Sequence, residues 1–94
     1  MDNIIADNIA QVLKTVGHPL RLKIVESLET GELRVNDIVA RVGSGQAVVS
    51  RHLALMKDKG ILSARRDGTN VYYTIQNRNV ISLLHCVYSH AEKS

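Results

Sequence analysis

Six glycines and one proline cut this 94-residue chain into short pieces, and that punctuation limits what it can fold into more than any other feature. Gly17, Gly31, Gly43, Gly45, Gly60 and Gly68 fall between stretches whose apolar residues recur at helical or strand spacing, so each stretch reads as an element and each glycine as its boundary. No apolar run among these stretches approaches membrane-spanning length. What does fit is one domain, residues 1–94, mainly α with a small β-hairpin: about five helices and a two-stranded wing.

Residues 3–16 place Ile5, Ile9, Val12, Leu13 and Val16 on one stripe of a first helix, closed by Gly17-His18. Pro19 suits the first turn of a second helix, whose buried side is Leu20, Leu22, Ile24, Val25 and Leu28 and whose end is Gly31. After Glu32-Leu33-Arg34-Val35, Asn36 is placed to cap a short helix carrying Ile38, Val39 and Val42 and stopped at Gly43. Ser44-Gly45 makes a tight turn. A fourth helix, Gln46 to Lys59, then carries Val49, Leu53 and Met56 along one stripe, and Gly60 ends it. Two short helices joined by a tight glycine turn form a helix-turn-helix pattern.

Ile61–Arg66 and Thr69–Ile75 flank Asp67-Gly68, a pair that tolerates the positive φ angles of a two-residue hairpin turn. With Asp67 and Gly68 as the loop, Leu62, Ala64, Val71, Tyr73 and Ile75 share one face, and Arg65, Asn70 and Tyr72 the other. Asn77 is placed to cap a last helix with Val80, Ile81, Leu83, Leu84, Val87 and Tyr88, an apolar surface too wide for so small a domain to cover alone. Ile5, Ile9 and Val12 of the first helix and Val80, Leu83, Leu84, Val87 and Tyr88 of the last are therefore assigned to a homodimer interface.

Twelve Lys and Arg against nine Asp and Glu leave a net charge of +3, a mild excess that suits a polyanionic partner. The only aromatics are three tyrosines, too few for the stacking platforms of single-strand binders, so double-stranded DNA is the expected partner. Opposite its core stripe, the fourth helix turns Gln46, Ala47, Ser50, Arg51 and Ala54 outward. The alanines keep the helix slim enough for a groove. Gln46 can present its amide to adenine, Arg51 can donate two hydrogen bonds to guanine, and Ser50 suits a phosphate or a base edge. His52, at the margin of the core stripe, is expected to support the helix or touch a phosphate. Arg65 and Arg66, beside the hairpin tip, suit phosphates or a narrow minor groove. The same residues on an arbitrary helix would be a solvated face; the short helix before them and the hairpin after them favour DNA binding. No cluster of acid, base and nucleophile occurs, so neither an enzyme nor a cofactor is expected.

Three stretches together, Gly17-His18-Pro19-Leu20-Arg21-Leu22-Lys23-Ile24, Gln46-Ala47-Val48-Val49-Ser50-Arg51-His52-Leu53, and Lys59-Gly60-Ile61-Leu62 followed by Arg65-Arg66-Asp67-Gly68 and Val71-Tyr72-Tyr73, carry a resemblance over nearly the whole chain. The chain resembles the ArsR/SmtB family of winged helix-turn-helix repressors. That resemblance implies a homodimer built through the first and last helices, bound to an imperfect inverted repeat and acting as a transcriptional regulator, usually a repressor. Many members release DNA on binding a metal. One family metal site uses a Glu-Leu-Cys-Val-Cys-Asp pattern, and the matching stretch here is Glu32-Leu33-Arg34-Val35-Asn36-Asp37, with both thiols missing. The positions matching a second site are Asn77, Asn79, His90 and Lys93, where one ligand of the set remains. No metal site of the usual kinds is expected, and the chain resembles the NolR-like and HlyU-like branch that lacks them.

Two alternatives stay open. Cys86 and His90 lie four residues apart on one helix face and across a dimer could form a metal- or thiol-responsive site, although Cys86 has no second cysteine in its chain for a thiol switch. A winged-helix module that contacts proteins would instead want an apolar or acidic face where Arg51, Arg65 and Arg66 stand. The N-terminus has no secretion-signal pattern and a lone cysteine suits a reducing compartment, so a cytoplasmic protein without a membrane partner is expected.

Overall fold

Three of the helices begin where a side chain takes up a backbone N–H group that a first turn leaves unpaired. Asp2 accepts the N–H of Ile5 at 2.8 Å and opens α1, Asn3–Val16. His18 Nδ1 accepts the N–H of Leu20 at 3.1 Å ahead of α2, Pro19–Ser27, with Pro19 in the first turn. Asn77 Oδ1 accepts the N–H of Asn79 at 3.2 Å, where α5, Asn79–Lys93, begins. The computed structural model describes residues 1–93, with the side chains at positions 90, 92 and 93 outside the described set.

The third helix starts earlier than its sequence suggests. α3 is Val35–Val42, with Arg34 rather than Asn36 at the capping position. Asp37, one turn in, accepts the Arg34 backbone N–H at 3.4 Å and its Nε at 3.3 Å, which is one half of a capping box. Gly43, at φ 72°, supplies the left-handed residue that ends α3 and turns the chain toward α4, Gln46–Asp58.

The hairpin strands are β2, Leu62–Asp67, and β3, Asn70–Ile75, and a two-residue strand β1, Leu33–Arg34, joins them to give an antiparallel sheet in the order β1-β3-β2. β1 pairs Leu33 with Tyr73 and Arg34 with Tyr72, so the β3 edge that a two-stranded wing would leave open is covered at its middle. The turn is also displaced by one residue. Asp67 pairs with Asn70 and Leu62 with Ile75, leaving Gly68-Thr69 as the loop in place of Asp67-Gly68. Gly68 alone has a positive φ, 63°, which is the single such position a type II′ turn needs; the expected turn would have required one at Asp67 as well. Because each cross-strand partner moves by two residues, the expected division of the strands into faces is unchanged.

The core lies between α2, α3, α4 and the sheet, where Ile24, Leu28, Ile38, Leu53, Met56, Ile61 and Leu62 are fully buried. Leu22, expected on the buried side of α2, is 38% exposed. It stands two residues from Ile24, roughly 200° around the helix, and the inward stripe is held by Ile24, Val25 and Leu28. α1 joins this core through Val12 and Val16.

Leu53→Ala deletes a fully buried side chain at the centre of α4 and is expected to destabilise the protein by about 3 kcal/mol. Lys57→Ala, on an exposed position of the same helix, should change stability by less than about 0.5 kcal/mol. Urea unfolding at one fixed protein concentration measures both.

Candidate nucleic-acid interface

The stripe that anchors α4 also decides what the helix presents. Val49, Leu53 and Met56 have no exposure, and the opposite side carries Gln46, Ala47, Arg51 and Ala54 at the surface with Ser50 half-buried beside them. Arg51 makes no ion pair among the described residues. Gly45 precedes the helix with no side chain to cap it, so the first N–H groups of α4 remain available to solvent or to an anion.

The fold sets Gln46 beside residues that the sequence did not assign to DNA. A cleft of about 210 Å³ runs between the starts of α3 and α4 and the tip of the wing, lined by Arg34, Asn36, Gln46, Thr69 and Asn70 with Val35 and Val71. Its polar side chains come from three separate segments, and only the packing of sheet on helices brings them together. The signal in the sequence was their polarity at element ends, which many surface loops share.

Arg65 and Arg66, read together as wing arginines, part company. Arg65 forms a two-pronged ion pair with Glu32, its Nε donating to Oε2 at 2.9 Å, and its guanidinium lies 4.4 Å over the Tyr72 ring. That hydrogen-bonded pairing holds the Glu32 carboxyl below the usual carboxylate range and raises Arg65 in turn. Arg66 is exposed and in no ion pair among the described residues. His52 is also engaged within the chain: its Nδ1 accepts from Arg21 Nε at 3.1 Å, and it is half-buried.

Away from this face, α1 and α5 leave apolar side chains uncovered. Ile5, Ile9, Leu83, Val87 and Tyr88 are exposed, Val12 and Leu84 are half-buried, and Ile4 and Leu13 extend the patch. Val80 differs from the expectation: at 2% exposure it belongs to the core of its own chain and reaches only the wall of the groove between the two helices. A groove of about 520 Å³, lined by Ile9, Val12, Leu13 and Leu83, runs between the two helices. Cys86 is exposed, while the His90 side chain of the alternative metal pair lies outside the described residues. Among the described residues no group of three or more His, Cys, Asp or Glu converges on a point where a metal could sit, and no helix is long and apolar enough to cross a membrane.

Residues 18–64 match the family described as "Bacterial regulatory protein, arsR family". The chain is 40% identical over 76 residues to the transcriptional repressor PagR of Bacillus anthracis, an alignment covering 80% of this chain and 76% of that one. Its fold matches the solution structure of a homodimeric winged helix-turn-helix DNA-binding domain from Mycobacterium bovis with a TM-score of 0.83 and 30% identity, covering 99% of this chain and 89% of that one. It also matches NolR from Sinorhizobium fredii, with a TM-score of 0.80 and 30% identity over 89% of this chain and 84% of that one. The expected winged helix-turn-helix architecture is thus found, and these relatives are regulators and repressors rather than enzymes.

Glu32→Gln removes the charge that holds Arg65 while keeping the side-chain shape. It is expected to tighten binding to duplex DNA severalfold and to steepen the salt dependence of log affinity by about one unit per protomer, as one further phosphate contact would. Anisotropy titrations across a salt series measure the slope, and an unchanged slope would mean that Arg65 does not reach DNA.

Proposed function

Because the chain belongs to the ArsR family of bacterial regulatory proteins, we propose that it is a cytoplasmic transcriptional repressor that binds an inverted-repeat operator as a homodimer. The observation that carries this reading is the outward face of α4, where Gln46, Ala47, Ser50 and Arg51 stand clear of the core beside a polar cleft and an exposed Arg66. Such a face enters the major groove: the small side chains allow close approach, Gln46 and Arg51 reach base edges, and Arg66 with the cleft residues takes phosphates. His52 supports the helix from behind rather than reaching outward.

The partner copy follows from surface chemistry. Exposed Ile5, Ile9, Leu83, Val87 and Tyr88 would sit against the same residues of a second chain, with half-buried Val12 and Leu84 beneath them. A twofold arrangement of this kind sets two α4 helices about 34 Å apart, one turn of DNA, and so calls for two inverted half-sites. With Arg34, Asn36, Asn77 and Asn79 at positions where metal-sensing relatives carry ligands, repression is expected to be independent of zinc and of chelators.

Arg51→Ala is expected to weaken binding to a duplex selected by the wild-type protein by about 1–3 kcal/mol and to relax base preference at one position of each half-site. Selection from a random-sequence pool, repeated with the variant, reads both effects. Val87→Asp should convert a micromolar dimer to monomer in equilibrium sedimentation, and a Val87→Asp protein that stays dimeric would move the interface elsewhere.

A further inference from the structure

Arg21 ties its own helix to two others. It is half-buried on α2; its Nη1 donates to the carbonyl oxygen of Thr15 at 3.0 Å, and its Nε donates to Nδ1 of His52 at 3.1 Å. Thr15 is buried in the last turn of α1, and its hydroxyl donates to the Gln11 carbonyl at 2.7 Å. His52 is in the middle of α4, next in sequence to Arg51. The His18 ring, whose Nδ1 caps α2, lies 4.8 Å from that of His52. One guanidinium therefore connects the helix that carries part of the exposed apolar face to the helix that presents Arg51.

We propose that Arg21 is the positioning residue of α4: through the Nδ1 acceptor of His52 it fixes that helix relative to the end of α1, so that the setting of Arg51 in the groove requires a neutral His52. This rests on the reading of α4 as the DNA-contacting helix. A van der Waals core fixes a helix against rotation but tolerates small slides along its axis, whereas a donor pair aimed at one carbonyl and one ring nitrogen has a narrow range of good geometry. The same geometry assigns the imidazole proton. Nδ1 accepts from Arg21, so the neutral ring carries its proton on Nε2; a second proton on Nδ1 would remove the acceptor and set two cations in contact.

Burial, then the charges of Arg21 on α2, His18 at the start of α2 and Arg51 on α4, lower the His52 pKa from its ordinary 6.5. A folded-state value below the unfolded one means that the pairing contributes fully above pH 6.5 and is lost as pH falls from there through the folded pKa. The expected effect on DNA is opposite to the usual one. Protonating histidines near a polyanion strengthens binding, whereas here acid separates Arg21 from His52 and weakens recognition of the selected sequence.

The test uses the full chain and a fluorescent duplex selected from a random pool by the wild-type protein, across a pH series that starts at about pH 7.5, the higher pH, and descends below the ordinary histidine range. Arg21→Ala should weaken selected-duplex binding by about tenfold at the higher pH, and Arg21→Lys should recover only part of the loss, because lysine cannot hold both acceptors in the same fork. Arg21→Ala introduced into His52→Ala should cost less than about twofold further. Wild type should lose affinity severalfold as pH falls through the folded-state pKa of His52, which lies below 6.5. In His52→Asn, whose amide oxygen stands near the Nδ1 position and does not titrate, that acid weakening should disappear. If Arg21→Ala fails to fold, the comparison of pH profiles between wild type and His52→Asn decides alone. Additive losses in the double variant, or an acid profile unchanged in His52→Asn, would overturn the positioning role. If Arg51→Ala binds as tightly as wild type, the reading of α4 falls and this inference with it; if Arg51→Ala weakens binding while the Arg21 and His52 losses add, the inference alone falls.

Discussion

The rotation of α4 about its own axis is held by Val49, Leu53 and Met56, which have no solvent exposure, and most of what the surface offers follows from that burial. Turning the helix far enough to hide Arg51 would lift three apolar side chains into water, at about 1.5–3 kcal/mol for each one fully exposed. The outward face is thus rigid without being packed on its own side. This lets small and polar residues at Gln46, Ala47 and Ser50 stay free of structural duty and available to a partner.

Around that fixed helix, charge is distributed less simply than its count implies. Glu32 and Tyr72 draw Arg65 into the wing, and Asp37 draws Arg34 to the start of α3. Both ion pairs are solvent-exposed, where such contacts contribute little to stability. Their larger effect is on reach. A guanidinium paired with a carboxylate must leave it before meeting a phosphate, so the cations free at the outset are fewer than the twelve Lys and Arg of the sequence suggest.

The elements as far as the wing were legible because glycine and proline break the chain between apolar stretches, α5 was legible from Asn77 and its apolar arc, and the outward face of α4 was legible because its core stripe is regular. The features that were not legible depend on partners distant in sequence. Arg65 meets Glu32 across 33 positions, and His52 meets Arg21 across 31, so no local pattern marks either pair. The hairpin turn was misplaced for a local reason: Asp67-Gly68 and Gly68-Thr69 both supply a two-residue loop, and backbone conformation chooses the one with a single positive φ. Val80 was misassigned because the apolar arc of α5 is wide enough to serve both its own core and a partner, and periodicity does not divide the two.

A symmetric pair of α4 helices held by α1 and α5 is the arrangement on which the proposed activity depends, and a hydroxyl-radical footprint on a selected duplex tests it most directly. The account requires two protected patches on one face of the DNA, related by twofold symmetry with centres about one helical turn, roughly 34 Å, apart. A single protected patch, or protection spread evenly around the duplex, would contradict it.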